Sequence, residues 1–471
     1  MNVMKQGSNA GLERSARRFD YAGKRVLVVG MARSGITAAR LLVREGATPV
    51  LNDMKPLSAF GNKLDELNEL PVEWRLGEDP VALLKTCDAL LISPGVPIDS
   101  PVVLFAKETG KYMIGELEFA SQLAQGDMIA VTGTNGKTTT VSLLGEIFRA
   151  AGKETYVSGN IGTPLSLTAL SSRRGDVLVT EVSSFQLESI DTFHPLAAAV
   201  LNVTEDHLIR HYTMENYIAM KRRIFENQTV DDVAVLNKDD PICRAMAEGL
   251  KVQVGWFSRL TEVDQGAFVR DGQVIVRWQG VEKVICRTDE IYIPGPHNLE
   301  NALAATLIAW VRGVPAPVIR HALKTFRGVE HRIEFVRELE GVRYINDSKG
   351  TNADSTIKAI DTMQAPTVLI LGGYDKHVSF EGLAKHIAKS PQITDLVLLG
   401  ATRDQLQNEL TAAGVTRFTL ADSFDQAVEQ ARVLAQRGGN VLLSPACASF
   451  DMFTCFEERG EHFKELVQRM N

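Results

Sequence analysis

Residues 128–150 read MIAVTGTNGKTTTVSLLGEIFRA, and this stretch decides the fold. Residues 128–131 are a short apolar run fit for a buried strand, and 140–150 carry the spacing of a helix. Between them lies Thr132-Gly133-Thr134-Asn135-Gly136-Lys137-Thr138-Thr139. A glycine-rich loop between strand and helix offers successive backbone N–H groups and a helix N-terminus, which together cradle phosphates. Lys137 adds a positive charge for β/γ-phosphates, and the Thr138 hydroxyl suits Mg²⁺. The spacing departs from G-x-x-x-x-G-K-[ST], because Val131 stands where the first glycine would be. Strand, loop and helix in this order imply a parallel α/β sheet.

The alternation recurs on both sides. Upstream, 24–30 (KRVLVVG) is a β-branched strand, 34–45 a helix, 49–52 and 88–93 further strands, the last ending in the turn Ser93-Pro94-Gly95. Downstream, strands are expected at 176–182, 197–203 and 232–237. Residues 251–293 change texture to short alternating runs with a hairpin turn at Asp271-Gly272, expected to be a small antiparallel insert or flank. A long helix is expected over 298–312. After Phe326-Arg327-Gly328 a third set of strands follows, at 342–346, 367–371, 396–399 and 440–444. The chain of 471 residues has room for about three domains. The expected division is a lead-in at 1–23 and α/β domains at 24–115, 116–328 and 329–471.

Composition narrows the function. Lys plus Arg number 51 and Asp plus Glu 58, a net charge of −7, whereas nucleic-acid binders are usually basic. The longest apolar runs, 196–203 and 302–311, fall well short of the 18 or so residues a bilayer helix needs. The N-terminus has basic residues but no apolar segment of a secretory signal and reads as a polar lead-in. The five cysteines, Cys87, Cys243, Cys286, Cys447 and Cys455, form no CxxC pair. They fit a reducing cytosol and read as small buried hydrophobes.

Other candidates sit at strand ends. Gly30-Met31-Ala32-Arg33-Ser34-Gly35 aligns with G-x-G-x-x-G only if Ala32 replaces the middle glycine, and Asp53 ends the next strand. A dinucleotide site, a ligand-free tight turn and a nucleotide held in another way all stay open there. Glu181, beside the phosphate loop, is a natural Mg²⁺ ligand. His207, in Asn202-Val203-Thr204-Glu205-Asp206-His207, is a candidate metal or phosphate contact. Lys221, within Lys-Arg-Arg, reads by itself as part of a solvated basic face. In the last domain, 346–352 (NDSKGTN), 372–376 (GGYDK) and 444–449 (SPACAS) are three strand-to-helix loops on one sheet edge. Together they suggest a small acidic ligand.

The combination resembles the Mur ligase family of ATP-dependent amide-forming enzymes of peptidoglycan synthesis. The resemblance is carried by TGTNGKTT at 132–139, GNIG at 159–162, EVSSFQLE at 181–188, NVTEDHL at 202–208, PGPHNLENALAA at 294–305, HR at 331–332 and NDSKGTN at 346–352. It runs from about Lys24 to the C-terminus. SSFQL at 183–187, LSPACASFDMF at 443–453 and Phe456 are most similar to members that add D-glutamate, and the DNPR element of diaminopimelate-adding members is absent. Phe450, Met452 and His377 are the departures. The TGTNGKTT loop also occurs in folylpolyglutamate synthases, which lack a UDP-binding first domain like 24–114.

The resemblance implies three α/β domains: Rossmann-like at the N-terminus, a P-loop-type ATPase in the centre, Rossmann-like at the C-terminus. It implies a cytoplasmic ligase that joins D-glutamate to UDP-N-acetylmuramoyl-L-alanine through an acyl phosphate, releasing ADP and phosphate, and so serves cell-wall biogenesis, cell shape and division. ATP would be held by Gly133, Thr134, Asn135, Gly136, Lys137, Thr138, Thr139, Asn298, Arg332 and Asp347. Two Mg²⁺ would be held by Thr138, Glu181, His207 and Lys221, with Lys221 carbamylated by CO₂. The UDP-substrate falls to Ser34, Asp53, Ser93, Pro94, Gly95 and Asn160, and D-glutamate to Lys349, Thr351, Lys376, Ser449 and Phe456. Lys137, His207, Lys221 and Lys349 are the expected catalytic residues. The partners expected are these small molecules alone, with no nucleic acid and no membrane, for a monomer.

Overall fold

The computed structural model describes residues 19–376 and 378–470. Most of the lead-in, residues 1–18, lies outside the described residues, as does His377. The chain folds into three α/β units, each built on its own sheet.

The first sheet contains β1 (Arg25–Val29), β2 (Thr48–Asn52), β3 (Glu73–Trp74), β4 (Ala89–Ile92) and β5 (Tyr112–Gly115), in the order β3-β2-β1-β4-β5. All its pairs are parallel. Val26, Leu27, Val28, Leu90 and Leu91 are fully buried, as β-branched and aliphatic runs covered on both faces must be. The helix Arg33–Arg44 follows β1 and buries Ile36, Ala38, Ala39, Leu41 and Leu42.

The middle sheet has nine strands: β6 (Asp127–Thr132), β7 (Thr155–Gly159), β8 (Val177–Glu181), β9 (Ala197–Val200), β10 (Val233–Asn237), β11 (Gln253–Ser258), β12 (Gly266–Arg270), β13 (Gln273–Trp278) and β14 (Val281–Arg287). Their order is β14-β13-β12-β11-β10-β9-β6-β8-β7. The expectation of a small antiparallel insert or flank at 251–293 holds as an antiparallel flank for β12–β14 and is corrected for β11, which extends the parallel ladder. β11 pairs in parallel with β10, Val233 opposite Gln253, and β12 in parallel with β11, so the ladder simply continues. Only β12–β13–β14 is antiparallel, turning at Asp271 and Gly272 with φ of 51° and 71°, the geometry of a two-residue hairpin.

The third sheet contains β15 (Glu334–Leu339), β16 (Val342–Asn346), β17 (Thr367–Gly372), β18 (Ile393–Leu399), β19 (Phe418–Leu420) and β20 (Asn440–Leu443). Its order is β15-β16-β20-β17-β18-β19, parallel except for the edge strand β15.

One apolar core runs without interruption through the first and middle units, from Val26 and Leu41 through Phe119 and Leu165 to Val203 and Ala234. Among the described residues, the cores of the third unit contain only those from Ile333 onward. No helix among the described residues is long and apolar enough to cross a membrane.

Candidate functional site

The phosphate-type loop follows β6 and ends in the helix Lys137–Ala150. Gly136 is its N-cap, with φ of 85° and no side-chain cap, so the first N–H groups of the helix face the loop unpaired within it. A Cβ on Gly136 would lie 2.3 Å from Asn301 Oδ1, which makes glycine obligatory here. The loop is braced by Asn202: the Thr134 N–H donates to its carbonyl at 2.9 Å, and the Asn135 N–H to its Oδ1 at 2.9 Å. Lys137 Nζ folds back onto the carbonyls of Gly133 and Thr134, at 2.9 and 2.8 Å. Burial pushes its pKa down from the ordinary lysine value while Glu181 pulls it back up.

Glu181 closes β8 and is 3 % exposed. One carboxylate oxygen accepts from Thr138 Oγ1 at 2.8 Å and the other from Asn160 Nδ2 at 2.9 Å. Lys221, on the helix Met214–Arg222, is 2 % exposed, which corrects the reading of a solvated basic face. Its Nζ donates to the Gly133 carbonyl at 3.0 Å and sits 4.4 Å from the centre of the Tyr217 ring. Its neighbours are occupied too: Arg222 and Arg223 donate to the carbonyls of Met246 and Leu187. Burial first, then the charge of Lys137, drives the Lys221 pKa well below the usual lysine value. His207 starts a short helix at φ of 55°, with its ring 4.9 Å from that of Phe185 and 3.6 Å from Asp206 Oδ2. Nearly half of its side chain is open, yet desolvation by the surrounding cleft, against the pull of Asp206, pushes its pKa down to about 4, leaving a neutral ring.

The third unit closes over this loop. Arg332, Lys349, Thr351, Lys376 and Phe456 line one cleft with the phosphate-type loop, Asn160, Glu181 and His207. Lys349 Nζ lies 4.7 Å from the Phe456 ring centre, and burial lowers its pKa. Lys376 Nζ donates to the Thr351 carbonyl at 3.2 Å. Ser449 is buried in its strand-to-helix loop, and its hydroxyl has no hydrogen-bond partner among the described residues. Arg332 also lines a second cavity, with Thr139, Pro294, Asn298, Gly328, Met363 and Asn440. There Asn298 donates to the Pro294 carbonyl at 2.7 Å and accepts from Asn301 at 3.2 Å. Asp347 lies behind the cleft, 1 % exposed, accepting from Ser444 Oγ at 2.7 Å and the Ile333 N–H at 3.2 Å. Burial pushes it up to about 6.

Sequence reasoning missed Arg459. It is the largest fully buried side chain and ties two loops together, donating to Ser348 Oγ and to the carbonyls of Ser348, Cys447 and Ala448. On an amphipathic helix rich in charge, nothing local distinguishes such an arginine from its exposed neighbours.

In the first unit, Ser34, Asp53, Ser93, Pro94 and Gly95 gather at the carboxyl ends of β1, β2 and β4. Ser93 Oγ donates to the Gly30 carbonyl at 2.6 Å, and Asp53 accepts from the N–H groups of Met31 and Lys55 at 2.8 and 3.0 Å. The N-cap of the following helix, Ala32, offers no capping side chain, which leaves that helix N-terminus open. Asn160 stands apart from this group, beside Glu181.

Comparison with known proteins finds three family matches along the chain. Residues 24–115 match the MurD-like N-terminal domain of Mur ligases, 131–309 the Mur ligase middle domain, and 331–447 the Mur ligase glutamate ligase domain. A relative from Caldanaerobacter subterraneus subsp. tengcongensis, named UDP-N-acetylmuramoylalanine–D-glutamate ligase, is 46% identical over 446 residues, 94% of this chain and 98% of that protein. One of the same name from Clostridioides difficile is 46% identical over 454 residues, 96% of this chain and 100% of that protein. Among solved structures, a pseudomurein peptide ligase type C from Methanothermus fervidus shares the fold, with a TM-score of 0.60 at 18% identity, covering 95% of this chain and 100% of that one.

Proposed function

The chain belongs to the Mur ligase family of ATP-dependent amide-forming ligases, and from that premise we propose that it joins D-glutamate to UDP-N-acetylmuramoyl-L-alanine, releasing ADP and phosphate. The observation that carries this reading is the single cleft shared by the phosphate-type loop of the middle unit and Lys349, Thr351, Lys376 and Phe456 of the third. Activation chemistry and a second substrate's cations meet there.

An ionised carboxylate resists nucleophilic attack. Transfer of the γ-phosphoryl group to the alanine carboxylate gives an acyl phosphate; the amine of D-glutamate attacks its carbonyl carbon, and phosphate leaves from the tetrahedral intermediate. The protein's task is positioning and charge neutralisation. Lys137 would exchange the carbonyls of Gly133 and Thr134 for phosphate oxygens. Thr138, Glu181, His207 and Lys221 would hold two Mg²⁺, and the buried Glu181 carboxylate facing the Thr138 hydroxyl is the hard-oxygen donor set that ion takes. Bound there, Mg²⁺ would offset negative charge on the phosphoryl group and the substrate carboxylate. Lys221 fits carbamylation because its surroundings favour the neutral amine; that amine adds to CO₂ and loses a proton, giving an anionic oxygen ligand.

Asn298, Arg332 and Asp347 would hold the nucleotide, the first two from the lining of the second cavity and Asp347 from behind, where it also accepts from the Ile333 N–H. The open helix N-terminus near Ser34, with Asp53, Ser93, Pro94 and Gly95, would hold the UDP group, and Asn160 the far end of that substrate near the metals. Lys376 and Thr351 would take one carboxylate of D-glutamate, Ser449 the other, and Lys349 would orient the acyl phosphate or the incoming amine. We assign the enzyme to the cytoplasm, as a monomer, in peptidoglycan precursor synthesis.

Phosphate release from ATP, measured with UDP-N-acetylmuramoyl-L-alanine with and without D-glutamate, tests the reading. D-Glutamate should be strongly preferred over L-glutamate, D-aspartate and L-lysine. Lys376→Ala should raise the D-glutamate KM roughly tenfold or more, the effect of losing one charge-assisted hydrogen bond, with little change for ATP. A better rate with L-lysine or diaminopimelate would overturn the substrate assignment.

A further inference from the structure

Polar side chains close the seam between the middle and third units; the apolar cores stop on either side of it. The contact at the phosphate-type loop is made by the first turn of the helix Ala353–Thr362. Asn352 caps that helix, accepting from the Ser355 N–H at 2.8 Å, and its amide reaches Asp206 Oδ2 at 3.3 Å. Asp354 Oδ2 accepts from the side-chain amide of Asn135, from Thr204 Oγ1 at 3.4 Å and from Lys358 Nζ at 3.0 Å. Ser355 Oγ donates to Asn135 Oδ1 at 2.8 Å.

Both polar ends of the Asn135 side chain are therefore taken by adjacent residues of the third unit. The backbone of Asn135 is taken as well, its N–H and carbonyl both paired with the Asn202 side chain. Asn135 and Ser355 are each 6 % exposed. A buried amide left without partners is costly, so this contact favours one fully made arrangement over a range of partial ones. A carboxylate next to a phosphate-binding loop would ordinarily repel the ligand. Here Lys358 and the Asn135 amide both face it.

We propose that Asp354 and Ser355 are positioning residues that grip the phosphate loop through Asn135, registering the ATP site against the amino-acid site at the moment of reaction. They act through Asn135, and Ser355 itself lines the cleft beside it. The inference rests on the ligase reading, and it adds a role for Asn135 that local sequence could not give, since its partners lie 219 and 220 residues away.

The test uses the full-length enzyme with Asp354→Ala, Ser355→Ala, the pair, and Asp354→Asn, which keeps an acceptor oxygen for the Asn135 amide. Steady-state kinetics with D-glutamate are set beside ADP binding by calorimetry and a fluorescence distance between the middle and third units in the presence of an ATP analogue. Asp354→Ala should lower kcat/KM for D-glutamate roughly tenfold, and the pair further, by depopulating the closed arrangement. ADP affinity should stay within about twofold, Asp354→Asn should recover most of the activity, and the Ala pair should lengthen the distance. Adding Asp354→Ala to Asn135→Ala should cost little more, because the grip is already gone. Unchanged kinetics in the Ala pair, failure of Asp354→Asn to recover, full additivity with Asn135→Ala, or a loss of ADP affinity as large as the loss of rate would each overturn the proposal. If the parent enzyme forms no amide with D-glutamate, the ligase reading fails instead, and the distance alone decides the grip: an unchanged distance in the pair overturns it.

Discussion

Asp347 is a carboxylate whose burial holds its pKa at about 6 against an ordinary 3.8. Between those values the folded chain keeps a proton that the unfolded chain releases. The stability this gives is full below pH 3.8 and is lost as the pH rises through about 6. At neutral pH the ionised form therefore weakens the fold by on the order of 3 kcal/mol. Asp347→Asn should raise the thermal midpoint at pH 7.5, leave it nearly unchanged at pH 4, and still impair turnover; equal midpoint shifts at the two pH values would refute the linkage. Lys221 carries a second prediction at this scale. Lys221→Ala should lose roughly 10- to 100-fold or more in activity, the scale seen when a metal site loses support, and added formate or acetate should recover part of it. A variant with full activity would remove the carbamate reading. Lys221 also shows a limit of sequence reading: in Lys-Arg-Arg all three look solvated, and only the loop that packs on the helix decides that Lys221 is the buried one.

At the scale of elements, what is local was legible and what is long-range was not. The phosphate-type loop, the helix after it and the strands β1, β6, β8 and β10 announce themselves because a few consecutive residues carry the whole pattern. The alternation over β11–β14 says an antiparallel insert or flank, which β12–β14 are, while the parallel attachment of β11 to β10 depends on a register no local pattern contains. β7 and β15, with mixed burial along their lengths, offered no clear period. The strand-end candidates of the middle and third units were individually ambiguous, and most of them meet in one cleft because both sheets present their carboxyl edges to it. Gly136→Ala tests the loop as an element. With φ at 85° and Asn301 Oδ1 at 2.3 Å from the added methyl, the loop must shift. The strain should cost about 1–3 kcal/mol of stability, and ADP binding by calorimetry should weaken sharply. Parent-like affinity would mean that the loop tolerates side chains and does not cradle phosphates closely.

For the whole molecule, the packing gathers the three units into two bodies. The first and middle units share a continuous apolar core, reinforced by Thr37 against Ser166 at 2.6 Å and by Arg210, which pairs with Glu188 and donates to the Val96 carbonyl at 2.9 Å. Separating them would expose that core to water, whereas parting the third unit exchanges mainly polar contacts for hydration. The connection to the third unit runs through residues 326–329, outside any helix or strand, with Gly328 at φ of 96°. Just beyond it His331 and Ile333 hold φ of 62° and 46°, values strained for side-chain-bearing residues, and both are hydrogen-bonded into the third unit. Closure should therefore be a rotation of the third unit alone about 326–329. Spin labels on exposed positions Glu108, Glu154 and Asn408 report on the first, middle and third units in turn. The 108–154 distance should stay fixed through every ligand state. The 154–408 distance should shorten with ATP analogue, UDP-substrate and Mg²⁺ together, and replacing Gly328 by proline should impede that change. A moving 108–154 distance would show that the shared core is not the rigid body the packing requires.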